Sequence, residues 1–268
     1  MPCCLFEENM TDAKNVVRNN FGNSAENYAS ASIHAQGEDL QWLVEAHPLT
    51  GNERVLDAGT GAGHAAFAFA PYVQFVEGVD ITPLMLEQAR KGAAARGLEN
   101  IRFSQADVED LPHEENTFDL VVSRWCAHHY PDIRMALAQI ARVLKPGGIF
   151  LLVDSVSLPY ARVDMFLNTL EMLRDTGHVR NYTIAEWLDY LERVGLHGMV
   201  LREWNLRLDG ESWVQRIQTP TVYVAAIKQL LRDADADLRA ALHITEESAE
   251  AGWGFDLPSF LLQAVVMK

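Results

Sequence analysis

The residues best suited to chemistry lie in the run Val55-Leu56-Asp57-Ala58-Gly59-Thr60-Gly61-Ala62-Gly63-His64. A short apolar stretch ends in an acid, and a Gly-x-Gly-x-Gly turn follows. Glycine allows backbone dihedrals closed to other residues and leaves bare main chain against which a ligand can lie. The same turn also occurs for packing alone. A dinucleotide fingerprint would place its third glycine one residue later, where this chain has His64, so the spacing disfavours a nicotinamide cofactor.

Two acids extend the pattern. Asp80 ends the apolar run Phe75 to Asp80, about 20 residues past the turn, where a carboxylate can accept hydrogen bonds from a ribose diol. It can equally cap the helix that Pro83 opens. Asp107, in Gln105-Ala106-Asp107-Val108-Glu109-Asp110, can accept from an exocyclic amine while Val108 packs on the ring, or can simply be a loop acid.

Alternating strands and helices must hold these residues. Strands are expected at Arg54–Asp57, Phe75–Asp80, Ile101–Ser104, Phe118–Ser123 and Ile149–Asp154, then at Met199–Leu206 and Phe260–Met267. Phe118–Ser123 is nearly all apolar, as a strand buried on both faces should be. Between the strands come the helix of Ala65 to Ala70 and a helix from Pro83, with Thr82 as N-cap, that stops at Gly97. A third helix opens at Pro131, buries Ile133, Leu137, Ile140 and Leu144, and ends at a Lys145-Pro146-Gly147-Gly148 cap. Helices are also expected over Thr11–Asn20, Ala29–His47, Val163–Leu173 and Val222–Leu231, and a Thr183/Glu186 capping box precedes one from Trp187 to Val194. Repeated strand–helix units imply a parallel sheet with right-handed crossovers.

Composition narrows the function. The 268 residues are 49% apolar, enough for one sizeable α/β core. A net charge of −15 and the lack of a Lys/Arg cluster argue against nucleic acid as a partner. No stretch approaches a membrane span, and Met1 to Met10 carries Glu7 and Glu8 rather than a signal-peptide pattern, so a cytoplasmic protein is expected. Cys3, Cys4 and Cys126 form no disulfide framework, and the histidines show no metal-ligand spacing, so no metal is expected.

The segments VLDAGTGAGHAAFAFA, VEGVDITPLMLEQAR, ADVEDLPHEENTFDLVVSRWCAHHYPD and IARVLKPGGIFLLVDS, in that order, resemble the class I S-adenosylmethionine-dependent methyltransferases. The likeness is to the ubiquinone/menaquinone-biosynthesis branch, methyltransferase type 11, and runs from about Asn52 to Ser155. It implies a Rossmann-like, seven-stranded, mostly parallel sheet with helices on both faces. It also implies an N-terminal helical lid over 1–48 and a methyltransferase domain over 49–268, with cap insertions around 157–198 and 207–258. S-adenosylmethionine would be the cofactor, S-adenosylhomocysteine its product, and a small molecule the methyl acceptor at O, N or C. The resemblance places Asp57, Gly59, Thr60, Gly61 and Gly63 around the methionine part. Asp80 would hold the ribose, Ile81 and Met85 would flank the adenine, Asp107 and Val108 would address its edge, Arg124 would stand beside the cofactor, and Tyr28 of the lid would cover the carboxylate.

In-line transfer from a sulfonium needs alignment and exclusion of water, and a base only where the acceptor loses a proton. His129, in the run His128-His129-Tyr130 after strand four, is the candidate base; the alternative is that both histidines pack the helix start. Asp175 to Tyr182 is expected to close over the acceptor or to serve as a plain loop. Other readings of the same motifs are a cyclase or a non-methylating cofactor-binding protein, a nicotinamide oxidoreductase, and an arsenite methylase using the three thiols.

Overall fold

The computed structural model describes residues 3–30, 35, 37–246 and 252–267, with side chains from Asp12 onward except that of Ser30. The thiols of Cys3 and Cys4 lie outside the described residues. Among the described residues, seven strands form one sheet: β1 (Arg54–Ala58), β2 (Phe75–Asp80), β3 (Ile101–Gln105), β4 (Phe118–Arg124), β5 (Leu144–Ser155), β6 (Leu196–Asp209) and β7 (Gly254–Val266). Their order is β3-β2-β1-β4-β5-β7-β6. Only β7 runs antiparallel to its neighbours. This is the Rossmann-like, seven-stranded, mostly parallel sheet that the resemblance implies.

Eleven helices accompany the sheet: α1 (Cys3–Asn23), α2 (Ala25–Ser30), α3 (Glu38–Glu45), α4 (His64–Phe69), α5 (Pro83–Arg96), α6 (Ile133–Val143), α7 (Ala161–Arg174), α8 (Ile184–Arg193), α9 (Gly210–Arg216), α10 (Thr221–Asp233) and α11 (Ala236–Leu242), counted among the described residues. Successive residues of a strand point to opposite faces, and the core follows that rule. Val55, Leu120, Val122 and Leu151 pack with α3, α4 and α5, whereas Leu56, Val121, Phe150 and Leu152 pack with α6 and α8. A third core joins α7 and α9 to α11 with the far ends of β6 and β7, through Leu167, Trp213, Ile227, Leu242 and Phe255.

The local signals behave mostly as their chemistry dictates. Thr183 and Glu186 form a complete capping box, and Gly97 closes α5 at φ +65°. Thr82 occupies the N-cap of α5 without a side-chain bond; Asp80 Oδ1 instead accepts from the Thr82 N–H at 2.8 Å. Helix α6 opens at Ile133 rather than at Pro131, with Asp132 as its N-cap accepting from Arg134 and Met135 N–H. Lys145 to Gly148 do not form a left-handed helix cap. Leu144 is already extended at φ −72°, ψ 139° and pairs with Phe118, so the chain enters β5 at once. The four residues bulge from the ladder before Ile149 pairs with Leu120, and Gly147 turns at φ +76° inside that bulge. The helix expected over Ala29–His47 is described as two, α2 and α3, and α1 is far longer than Thr11–Asn20.

The parallel strands end on one edge of the sheet. Asp57 and Ala58 of β1, Asp80 of β2, Arg124 of β4 and Asp154 of β5 all stand there. Successive strands progress outward in opposite directions from β1 and β4, and open α/β sheets bind ligands at such a switch point, beyond the carboxyl ends of the strands.

Candidate active site

A cleft of about 1000 Å³, including its open mouth, occupies that edge. Every site residue predicted from the sequence except Gly63 lines it, His129 and Tyr28 included. Cys126, Trp125, Phe21 and Lys14 line it as well.

The glycine turn is organised from below by Asp57. Its side chain is almost completely buried, and its Oδ2 accepts from Thr60 Oγ1 at 2.6 Å and from the Ala66 N–H at 3.0 Å. Burial pushes its carboxyl up to about 6 against the pull of those two donors. Asp57 therefore shapes the turn and the start of α4.

The three glycines have different tasks. All three adopt positive φ. A Cβ on Gly59 would overlap Cys126 Sγ, and one on Gly63 would meet the Phe67 ring at 2.7 Å, so these two serve close packing. A Cβ on Gly61 would meet nothing within 4 Å, because Gly61 faces the open cleft. Only Gly61 fits the idea of bare backbone kept clear for a ligand.

Asp80 braces both the start of α5 and the glycine turn. Oδ1 holds the start of α5 through the Thr82 N–H, and Oδ2 accepts from the Gly61 N–H at 2.9 Å, tying β2 to the turn. Asp80 lines the cleft, and burial raises its carboxyl above the usual range. Met85 and Val108 are buried, with Ile81 between them along the cleft wall. Asp107 Oδ1 accepts from the Glu109 N–H, while Lys14 Nζ of α1 lies 2.7 Å from Asp107 Oδ2 and 2.5 Å from Glu109 Oε2. Burial works against charge on Lys14, but the two carboxylates outweigh it and raise its pKa.

At the end of β4, Arg124 forms a bidentate pair with Asp39 of α3, Nε to Oδ2 at 2.6 Å and Nη2 to Oδ1 at 3.1 Å. Trp125 Nε1 donates to the same Oδ2 at 2.9 Å. Trp125 itself sits at φ +52°, a conformation that costs a side-chain-bearing residue on the order of 1–2 kcal/mol. Its N–H bond to the Val153 carbonyl and its indole bond to Asp39 hold it there. The Tyr28 hydroxyl accepts from Arg174 Nη2 at 2.8 Å, which links α2 to the end of α7.

The histidine run faces the loop after α7. His129 Nδ1 meets the Gly177 carbonyl at 3.0 Å, and the His128 carbonyl accepts from the Val179 and Arg180 N–H groups. Phe21 of α1 packs edge-on against the His129 ring at 4.9 Å. The histidines therefore anchor residues 177–180.

A model of the methyltransferase domain matches residues 49–195. The chain belongs to the methyltransferase family. It is similar to an uncharacterised methyltransferase of Bacillus subtilis, YcgJ, with 38% identity over 91% of this chain and 97% of that one. The crystal structure of YcgJ superposes with a TM-score of 0.83, at 37% identity over 86% of this chain and 99% of that one. A demethylmenaquinone methyltransferase of Thermus thermophilus is 40% identical over 42% of this chain and 53% of its own length.

Lys14 in the cleft of this methyltransferase, and Asp39, Asp154 and Arg174 around it, escaped the sequence reading. Asp39 lies on the buried side of α3 with Leu43, four residues on. An acid in register with an apolar face is a signal that could have found it. Asp154 ends an apolar strand as Asp57 and Asp80 do, and that likeness was available. Lys14 and Arg174 carry no local signal, because their partners are far away in the chain.

Proposed function

We propose that the protein transfers the methyl group of S-adenosylmethionine to a small-molecule acceptor. The supporting observation is the Asp80 carboxylate, held by the Gly61 and Thr82 N–H groups, beside the open face of Gly61. The residues present fit the cofactor: an acid lining the cleft to accept from a diol, bare backbone beside it, and Ile81, Met85, Val108 and Asp107 along the same wall. When bound, S-adenosylmethionine supplies a methyl group already activated by its sulfonium.

In this reading Asp80 accepts from the ribose hydroxyls, Asp107 accepts from the adenine amine, and the turn from Gly59 to Gly63 borders the methionine part. Thr60 lies on the cleft wall with its hydroxyl donated to Asp57. Arg124 and Tyr28 stand at the methionine end, and α1 and α2 form a lid that excludes water. The bulk of the protein's task is alignment, which raises effective concentration without any chemistry on the chain. Where the acceptor must lose a proton, His129 accepts it at Nε2, since the Gly177 carbonyl can only accept and so fixes the proton on Nδ1.

Calorimetry with S-adenosylhomocysteine tests the cofactor reading: saturable binding with one site is expected, with none for a nicotinamide dinucleotide. No binding would refute it. Incubation with methyl-labelled cofactor and a panel of phenols, enols, amines and carboxylic acids tests the reaction. Label in a product supports transfer, and cofactor binding without any transfer across the panel would favour a non-methylating role.

A further inference from the structure

Behind the cleft, between the end of β5 and α7, lies a group of buried ionisable side chains that methyl transfer does not call for. His128 Nδ1 is 2.5 Å from Asp154 Oδ1, and the His128 N–H donates to Asp154 Oδ2 at 3.2 Å. Asp154 is fully buried, and no Lys or Arg pairs with it among the described residues. A buried carboxylate is costly without a cation. His128 is the one in reach, so the pair is an imidazolium–carboxylate contact. The His128 and His129 rings are 4.1 Å apart, tilted by 53°. Two adjacent buried imidazoles cannot both carry a proton cheaply, and the one with the carboxylate keeps it.

We propose that His128 and Asp154 are a positioning pair: an anchored imidazolium that holds the neighbouring His129 ring neutral, with its proton on Nδ1 and its lone pair on Nε2. This rests on the reading of His129 as the group that accepts the acceptor's proton. The other charged or titratable groups around the two rings are Glu171 and Arg174 of α7, then Asp175 and His178 beyond it. Asp175 Oδ2 stands 3.9 Å from His129 Nε2 and has no hydrogen-bond partner. It is placed to meet a proton that arrives on Nε2. His178 is buried with its ring 5.6 Å from that of His128, and its own Nε2 is engaged by Asn168 Oδ1. Burial first, then the His128 charge, pushes His129 down to about 4, whereas for His128 the pull of burial is outweighed by Asp154 together with Glu171 and Asp175, which raises it.

The test is a pH titration of full-length protein with isotope-labelled histidine, followed by NMR, with His129 assigned by its loss in His129→Gln. In the wild type, His129 should remain in the Nδ1–H form through neutral pH while His128 carries both ring protons. His128→Gln removes the cation and leaves Asp154 charged, so His129 should bind its proton at least about tenfold more tightly, a rise of about one pH unit. Asp154→Asn removes both charges and should give a smaller rise. A contact that is only structural would not move the His129 titration. An unmoved titration in either folded variant, or a neutral His128 in the wild type at pH 7, overturns the pair. If one variant does not fold, the other and the wild-type protonation states still decide. Binding of S-adenosylhomocysteine is measured on the same wild-type sample. Its absence would refute the methyl-transfer reading, whereas an unmoved His129 in protein that binds it refutes this pair alone.

Discussion

The two halves of the cleft are built by opposite means. On the β1–β2 side, the buried acids are satisfied by groups of the turn and the helix starts beside it. Asp57 takes the Thr60 hydroxyl and the Ala66 N–H, and Asp80 takes the Gly61 and Thr82 N–H groups. On the β4–β5 side, side chains from distant segments meet. Arg124 pairs with Asp39 across 85 positions, Arg174 with Tyr28 across 146, and Asn20 with Asp175 across 155. Buried oxygens of Glu171 and Asp175 are left without hydrogen-bond partners there. A half made of a short backbone turn is rigid and suits a ligand that never changes. A half made of long-range side-chain contacts can be rebuilt residue by residue, as acceptor choice requires.

Breaking this comparison begins with the largest effect. Gly61→Val should abolish measurable S-adenosylhomocysteine binding by calorimetry. The fold should survive, since the new side chain meets only open cleft and the φ of +53° costs about 1–2 kcal/mol. Undiminished affinity in the folded variant would mean that the turn does not border the ligand. Gly59→Ala should act on folding instead, lowering unfolding free energy in urea by roughly 2–4 kcal/mol through overlap with Cys126 and backbone strain. Adding Cys126→Ala should recover part of that loss, and no recovery would refute the assigned clash.

Asp80→Ala should weaken binding by about 2–3 kcal/mol, the scale of charge-assisted hydrogen bonds, with a dissociation constant rising on the order of a hundredfold. An unchanged constant would count against the ribose assignment. The subtlest expectation sharpens the comparison, because acid should affect the two halves in opposite directions. Asp57 is raised from 3.8 to about 6, so its contribution to stability is fully present below 3.8 and is lost as pH rises towards 6. His129 is lowered from 6.5 to about 4, so its contribution is present above 6.5 and is lost as pH falls towards 4. Relative to wild type, Asp57→Asn should gain stability as pH rises through that window, and His129→Gln should gain as pH falls. Parallel slopes for both variants in urea titrations would contradict the assignment.

What the sequence disclosed follows the same division. The strand, turn and helix from Arg54 to Phe69 were legible because each residue there answers to its neighbours: an apolar run, an acid, three glycines, small residues on α4. The parallel run of the sheet followed from the alternation of elements, whereas its strand order did not. The Lys145–Gly148 run misled because its glycines suit a helix cap, yet the pairing of Leu144 with Phe118 starts the strand before any cap can form. Lys14 and Arg174 were invisible for a related reason. Each has its role only through a partner that folding brings from elsewhere, and neither spacing nor periodicity carries that information.

Helix α1 belongs to neither half, yet it touches both. Lys14 sits on Asp107 and Glu109, Asn20 on Asp175, and Phe21 on His129. On the proposed reading of α1 as a lid, these residues ride on one rod and the two compartments share a single door. A cycle that admits two different molecules and discharges two others cannot then run faster than that door swings.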